Sequence, residues 1–427
     1  MRRRPIPAGL SDPLMVTVVG AAILVWCSGT WAPPTSVRQR FAAVSRKWAR
    51  MGIRIGVIST YPGTQCGIAT FAESLVTNLI EAGADVGVIR IVDAPEAQTE
   101  PVVFQWITGR LGAPERVAEA LADYDVALVQ HEYGIFGGAD GSDILEVVAQ
   151  LRMPVISVLH TVLTNPTQHQ RSVLARLCAA SAGLVTMTET ARQRLISGWG
   201  VHPSRVFVIT HGAVANLADA VPHRQVLSSP PKILTWGLLG EGKGIEWALQ
   251  ALARLQHLSP TPQYRVVGQT HPRVLERDGE AYRDRLLALT ARLGLTNSVR
   301  FDGHYLPGPE LRQIVRDADI ILLPYDSREQ VTSGVLTEAV AAGKPIVSTS
   351  FPHAVELLSG GVGLLVPQRD PEFLARALGR VLTERGLAER MAVAAQGLAA
   401  SLLWPAVATR YIDLASSTVA AAAQSVA

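Results

Sequence analysis

Short β-branched segments alternate with longer stretches of helical periodicity from Ile53 to about residue 366. Strands that alternate with helices form βαβ units, in which neighbouring strands run parallel. The strand segments are almost continuously apolar, which is typical of a sheet covered by helices on both faces. The predicted strands are 53–59, 86–92, 126–130, 154–159, 184–188, 206–209, 232–236, 264–267, 299–301, 320–323, 345–348 and 362–366.

One polar, proline-containing stretch, from Ala213 to Pro231, interrupts this alternation, and we interpret it as an interdomain linker. The pattern therefore predicts two doubly wound α/β domains, 51–225 and 226–402. A last helix at about 403–420 is long enough to cross back onto the first domain. With 427 residues, 48% of them hydrophobic, the chain has enough apolar material for two cores.

Residues 1–50 differ from the rest of the chain. They carry eight basic residues against Asp12, a formal charge of +7 in a chain of +3, so the remaining body is mildly acidic. The apolar run from Leu14 to Cys27 is shorter than the roughly 20 residues of a membrane span and close in length to the core of a signal peptide. Its length therefore does not decide whether it is a membrane anchor, a signal peptide or neither. Alternatively, the segment precedes a true start at Met51. We expect a cytoplasmic body that works without it, with peripheral association at the inner face of the cell membrane left open.

The composition excludes several classes of protein. The body has no stripe of basic residues interleaved with aromatics, so nucleic acid is not an expected partner. Its three cysteines, Cys27, Cys66 and Cys178, form no CxxC pair and supply neither a disulfide framework nor a metal cage. A reducing compartment fits this usage.

The segment from Gln330 to Pro345 is the most informative motif of the second domain. Thr332 or Ser333 is a candidate N-cap of a helix that follows a buried strand. Ligands of doubly wound sheets bind beyond the carboxyl ends of the strands, where strand order reverses, so the start of this helix is expected to point into a cleft. Its amides and dipole could hold a diphosphate without a metal, and Glu338 could accept hydrogen bonds from ribose hydroxyls.

The spacing of Gln330 and Glu338 resembles the Glu-x7-Glu signature of retaining GT-B glycosyltransferases, family 4 in particular. The resemblance implies a GT-B fold, two Rossmann-like domains facing a cleft, and transfer of a sugar from a UDP- or GDP-linked donor to a carbohydrate or lipid-linked acceptor. It also implies donor contacts at Thr332, Ser333, Gly334 and Val335. The family's first glutamate is Gln330 here, with Glu329 one place earlier. Glutamine can hydrogen-bond sugar hydroxyls but carries no charge.

A glycine-rich loop, residues 236–244, follows the first predicted strand of the second domain. Glycines such as Gly237 and Gly242 let the backbone approach phosphates, and Lys243 supplies a cation for the leaving diphosphate. The loop resembles the family's G-[RL]-L-x-x-x-K-G motif. Leu238 replaces an arginine that often stands there, which places more of the phosphate charge on Lys243.

In the first domain, a loop from Ser59 to Gly67 joins the first strand to the first helix. It does not match G-x-G-x-x-G, so no dinucleotide cofactor is indicated. The resemblance implies that donor phosphate and acceptor approach the helix start at Gly67. It also implies that His160, at a strand end, lies beside the donor sugar and the reacting centre. The remaining candidates, each after a strand, are His131 and Glu132 on the acceptor side, His211 on the nucleotide side and Tyr305 at the nucleobase.

Asp317-Ala-Asp319 matches the DxD pattern that binds a divalent cation in the other large glycosyltransferase fold. The triplet ends a predicted helix before a buried strand, so we interpret it as structural and expect neither a metal nor a cofactor. Two alternatives to a transferase remain. One is a GT-B relative such as a nucleotide-sugar epimerase or a sugar phosphorylase. A phosphorylase would need a pyridoxal-linked lysine, and the sequence offers no candidate for one. The other is an inactive sugar-nucleotide-binding scaffold.

Overall fold

The computed structural model describes residues 52–217 and 229–425, together with two short antiparallel strands, β1 (Val16–Val19) and β2 (Ala22–Val25). The rest of the N-terminal extension and the middle of the expected linker lie outside the described residues, and the expectations placed on them stay open. None of the helices in the described part has the length and hydropathy of a membrane span.

Seven parallel strands form the first sheet, in the order β5-β4-β3-β6-β7-β8-β9. The strands are β3 (Arg54–Ser59), β4 (Asp85–Val92), β5 (Val102–Ile107), β6 (Val126–His131), β7 (Val155–Leu159), β8 (Gly183–Thr186) and β9 (Val206–Val208). The helices between them are α1 (Gly67–Glu81), α2 (Ala113–Ala120), α3 (Ile144–Gln150), α4 (Gln168–Ala180) and α5 (Glu189–Trp199).

Six parallel strands form the second sheet, in the order β12-β11-β10-β13-β14-β15. The strands are β10 (Lys232–Trp236), β11 (Gln263–Val267), β12 (Val299–Asp302), β13 (Ile320–Leu323), β14 (Ile346–Thr349) and β15 (Gly363–Val366). The helices that accompany and follow it are α6 (Ile245–Ala253), α7 (Pro272–Asp278), α8 (Ala281–Arg292), α9 (Gly308–Asp317), α10 (Gly334–Ala341), α11 (Pro352–Leu358), α12 (Pro371–Thr383) and α13 (Leu387–Leu402).

The predicted α/β fold with two parallel, doubly wound sheets is confirmed. Each predicted strand corresponds to an observed strand whose ends lie within two residues of the prediction. Strand β5 was not predicted. It lies at the edge of the first sheet, where only Val102 and Trp106 are buried, so it lacks the continuous apolar run that marks the central strands.

Strand order reverses at one point in each sheet, between β3 and β6 in the first and between β10 and β13 in the second. The loops that follow these four strands therefore border the two crevices in which doubly wound sheets bind ligands. These loops include all of the glycine-rich segments singled out in the sequence.

The chain passes twice between the sheets at adjacent points. Ala213 donates a hydrogen bond to Leu402 (2.7 Å) and accepts one from Trp404 (3.1 Å). Helix α14 (Trp404–Ser425) then packs on α1, where the Trp404 and Phe71 rings lie 5.0 Å apart. The last helix thus lies against the first domain, as its length suggested, and extends to Ser425.

Candidate active site

Helix α10 begins at the reversal point of the second sheet and is held there by two side chains. Ser333 is its N-cap, because the Ser333 hydroxyl accepts a hydrogen bond from the Leu336 amide at 3.2 Å. The amide of Ser333 itself donates to Nδ1 of the buried His353 at 2.8 Å. The remaining amides of the first turn point beyond the helix start, as an anion site requires. The sequence left Thr332 and Ser333 open as caps, and His353 was not predicted as part of the site.

His211 lies directly against the start of this helix. A Cβ atom added to Gly334 would lie 2.8 Å from the His211 ring, so only glycine fits there without displacing it. The Nδ1 atom of His211 lies 2.7 Å from the Gly212 carbonyl, which can only accept, so Nδ1 carries the proton and Nε2 is left as an acceptor. Burial lowers the pKa of His211 to about 4, so the ring is neutral at pH 7.

The glycine-rich loop lies beside the same helix start. Gly237, at a φ of +118°, is close enough to α10 that an added Cβ would lie 3.5 Å from the Val335 side chain. Gly244 has a φ of +64°, and a Cβ there would lie 2.0 Å from the Pro324 carbonyl oxygen. The close approach at Gly244 fixes the end of the loop against the strand that leads to α10.

Lys243 lies at the end of this loop, with its ammonium 4.4 Å from the centroid of the Tyr325 ring. Burial lowers the pKa of Lys243 to about 8. No carboxylate forms an ion pair with it among residues 52–217 and 229–425. A largely covered cation without a counter-charge is a favourable place for an anion.

Glu338 occupies the second turn of α10, and burial raises its pKa to about 7, against the opposing effects of a hydrogen bond from Trp236 and the charge of Arg312. Glu338 and Lys243 are both partly exposed, so protein covers most of each side chain while a part stays accessible to a ligand.

Gln330 and Glu329 have different surroundings. Gln330 lines a cavity of about 690 Å³ together with Gly242, Lys243 and Asp326. The Glu329 carboxylate accepts a hydrogen bond from the Thr164 amide at 2.8 Å and forms an ion pair with Arg194 at 3.0 Å, both in the first domain. Glu329 is therefore occupied by interdomain contacts, and Gln330 is the one placed beside Lys243.

In the first domain, Gly67 begins helix α1, whose N-cap is Cys66; the Cys66 sulfur accepts from the Ala69 amide at 3.4 Å. Apart from its chain neighbours and its own helix backbone, no described atom lies within 4 Å of a Cβ added at Gly67. This helix start is thus open, in contrast to the one at Gly334.

His160 and His211 both contact Phe71, whose ring centroid is 4.9 Å from the first and 5.0 Å from the second. The Nε2 atom of His160 is 2.8 Å from Oε1 of the buried Gln130. Burial, followed by the charges of His211 and His131, lowers the pKa of His160 to about 3. Both imidazoles are therefore neutral hydrogen-bonding groups at pH 7.

His131 does not reach the cleft. Its ring is fully buried against Tyr133 and Phe136, and within the described residues neither ring nitrogen has a hydrogen-bond partner. Burial lowers its pKa to about 4. The structure therefore places His131 beneath the site, not on the acceptor surface where the sequence suggested it.

Glu132 and Tyr305 are partly accessible. The Glu132 carboxylate accepts from the Thr161 hydroxyl at 2.5 Å and the Tyr133 amide at 3.0 Å, and burial raises its pKa. Tyr305, in the loop after β12, is 50% exposed and free to contact a ligand.

The Asp317-Ala-Asp319 triplet has structural contacts. Asp317 ends α9 and accepts from Gln313 at 2.9 Å, while Asp319 accepts from the Lys232 amide at 2.7 Å and so joins α9 to the start of β10. Among the described residues, no three His, Cys, Asp or Glu side chains are close enough together to hold a metal ion.

Family models match both domains. A model of glycosyltransferase family 4 matches residues 66–215, and one of glycosyl transferases group 1 matches residues 230–384. Together they cover more than half of the chain. The chain belongs to the family 4 glycosyltransferases with a GT-B fold.

Its curated relatives include D-inositol 3-phosphate glycosyltransferases from Corynebacterium diphtheriae, 28% identical over 60% of this chain and 64% of that one, and from Frankia alni, 31% identical over 54% and 57%. Glycogen synthase of Mycobacterium tuberculosis is 27% identical over 60% and 61%. The matched region spans less than two thirds of the length of these relatives.

Solved structures share the fold at low identity. Sucrose-phosphate synthase of Thermosynechococcus elongatus superposes with a TM-score of 0.70 at 18% identity, covering 86% of this chain and 100% of that one. Anabaena HepE in complex with UDP and glucose gives a TM-score of 0.67 at 18% identity, with coverages of 86% and 100%. These likenesses establish the two-domain architecture.

Proposed function

We propose that this protein transfers a sugar from a nucleoside-diphosphate sugar to an acceptor hydroxyl with retention of anomeric configuration. The observation that carries the proposal is Lys243, a largely covered cation without a carboxylate partner in the described part of the chain, on a loop that touches the start of α10. A donor diphosphate between the Lys243 ammonium and the first-turn amides would supply the missing negative charge.

The two neutral histidines support a particular route for the proton. An imidazole whose pKa is about 3 or 4 is a poor base at neutral pH. We infer that the acceptor hydroxyl attacks the anomeric carbon from the face that the diphosphate leaves, and that the leaving phosphate takes the hydroxyl proton. His160 and His211 then orient sugar and nucleotide. Catalysis arises from stabilising the departing phosphate and positioning the acceptor, with no covalent enzyme intermediate.

The relatives favour particular substrates. HepE was solved with UDP and glucose, which supports a UDP-linked hexose as donor. The inositol 3-phosphate glycosyltransferases support a small polyol phosphate as acceptor. We further propose that the protein works in the cytoplasm, where nucleotide sugars are made, and needs neither a metal nor a cofactor. Gln330 and Leu238 favour one alternative, a sugar-nucleotide-binding scaffold without turnover.

The test has two stages. Thermal unfolding with a panel of UDP- and GDP-sugars identifies the donor, because a ligand that binds only the folded state raises the melting temperature with concentration. Release of the nucleoside diphosphate with an acceptor then separates a transferase from a scaffold. Binding without release in every acceptor mixture supports the scaffold, and an absence of binding contradicts both.

Two substitutions locate the donor site. Lys243→Ala and Glu338→Ala should each reduce turnover about 100-fold, since each removes a charged group that contacts the donor. Lys232→Ala and Glu372→Ala are matched controls on exposed residues of the same domain and should retain wild-type rates. Wild-type turnover in the Lys243 or Glu338 variant would exclude this donor site.

A further inference from the structure

A second segment of the donor domain, residues 268–274, runs beside the glycine-rich loop. The Leu239 amide donates to the Gln269 carbonyl at 2.8 Å, and the His271 amide donates to the Leu239 carbonyl at 2.8 Å. The Val274 side chain would lie 3.3 Å from a Cβ added at Gly240. Backbone pairing thus fixes the segment against the loop that carries Lys243.

Arg273 extends from this segment to the first domain. A Cβ added at Gly134, in the loop after β6, would lie 2.3 Å from Nη1 of Arg273, so the guanidinium packs directly on the Gly134 backbone. Gln269 makes a parallel contact, with its Nε2 atom 2.8 Å from Oε1 of Gln65 in the loop after β3. The segment therefore spans the cleft between the two loops that border the first crevice.

Arg273 is an exposed residue, and within the described ranges no carboxylate forms an ion pair with its guanidinium. The charge of Arg273 affects the pKa of two neighbouring groups, Glu132 and His271. The charge of Arg273 opposes the rise that burial causes in the pKa of Glu132. The pKa of His271 is lowered by burial and then by the charges of Arg273 and Lys243, so both cations act on one imidazole.

We propose that Arg273 binds a phosphate group in the cleft, together with Lys243. Within the described residues, neither cation has a carboxylate partner, and the two lie on segments joined by backbone hydrogen bonds, so a phosphate is the matching ligand. Leu238 leaves the loop without the arginine that often stands at this position. The inference rests on the proposed function and adds a residue to its site. The phosphate is either the β-phosphate of the donor diphosphate or one carried by the acceptor.

The deciding experiment compares UDP with UMP by isothermal titration, without acceptor, in wild type, Arg273→Ala, Arg273→Lys and Arg277→Ala. If the donor panel selects a guanine nucleotide, GDP and GMP replace them. We expect Arg273→Ala to bind UDP about tenfold more weakly and UMP nearly as well as wild type, and Arg273→Lys to recover part of the loss. Arg277, exposed on the same short helix and paired with Asp278, is the matched control and should behave as wild type.

A second arm separates the two sources of phosphate. If UDP affinity is unchanged in Arg273→Ala, thermal stabilisation by D-myo-inositol 3-phosphate is compared with that by unphosphorylated myo-inositol. A loss confined to the phosphorylated compound assigns the phosphate to the acceptor. The proposal is overturned if neither probe changes, if UDP and UMP weaken equally, which indicates a structural role at Gly134, or if Arg277→Ala gives the same loss. Wild-type protein that binds no nucleotide contradicts the proposed function instead.

Discussion

The two domains have the same architecture but assemble their parts of the site differently. In the second domain, the donor groups come from two continuous segments, the loop around Lys243 and the stretch from the N-cap Ser333 to Glu338 in α10. In the first domain, His160 and His211 come from distant strand ends and are brought together at the Phe71 ring. One half of the site is thus built by local backbone geometry and the other by packing.

If packing builds the first-domain half, removing Phe71 should have the largest effect on stability. Phe71 is fully buried and contacts His160, His211 and Trp404, so Phe71→Ala should cost about 3–5 kcal/mol of unfolding free energy. The measurement is urea unfolding. Phe373→Ala, on an exposed phenylalanine of the second domain, is the control and should cost less than about 1 kcal/mol. A similar loss of unfolding free energy in both variants would contradict the proposed difference between the first-domain and second-domain parts of the site.

The two helix starts offer a second comparison. Gly334→Ala places a methyl group against the His211 ring and should weaken donor binding about tenfold, because the helix start or the ring must shift. Gly67→Ala meets no described atom and should leave stability within about 0.5 kcal/mol of wild type. Both variants are measured for the donor KM and for the temperature of thermal unfolding.

The same Gly67 variant also reports on ligand approach. Since the protein around Gly67 has room for the methyl group, any loss of activity in Gly67→Ala must come from a ligand that approaches the helix start. Full activity would remove Gly67 from the list of donor contacts. Unchanged donor binding in Gly334→Ala would show that the His211 ring can move away from the added methyl group without affecting the phosphate site.

The pH dependence of kcat/KM should reflect only the second-domain groups Glu338 and Lys243. Glu338 loses its proton as the pH rises through about 7 and then accepts hydrogen bonds, while Lys243 loses its charge as the pH rises through about 8. We therefore expect a narrow bell-shaped profile that rises near pH 7 and falls above pH 8. Glu338→Gln should abolish the acidic limb and Lys243→Arg the alkaline limb. If a limb persists in its variant, another group titrates there.

The smallest expected effect concerns Gln330. Gln330→Glu should retain measurable activity or change the sugar preference, because the amide already occupies the cavity beside Lys243. Gln330→Ala should reduce kcat/KM by about tenfold, the loss of one or two hydrogen bonds. If the Gln330→Ala variant is as active as wild type with every donor, Gln330 has no role in the reaction. Since Glu329 pairs with Arg194, Glu329→Gln should then be tested for its effect on domain contacts.

The sequence predicted well where local patterns carry the information. Apolar runs located the central strands of both sheets, and the serine and glycine pattern located the start of α10. It missed strand β5, which is half exposed at a sheet edge. It also missed His353, whose role depends on the start of α11 packing beside Ser333. A histidine soon after a predicted strand was the available signal for His353.

By itself, the sequence determined the alternation of strands and helices, the two sheets and the glycine-rich loops, because these depend on periodicity and on backbone conformations encoded over a few neighbouring residues. Only the tertiary structure decided which polar groups are covered. It buried His131, largely enclosed Lys243 and Glu338, and brought Arg273 to Gly134. Burial and the pKa values that follow from it depend on which distant segments pack together, and no local pattern specifies that.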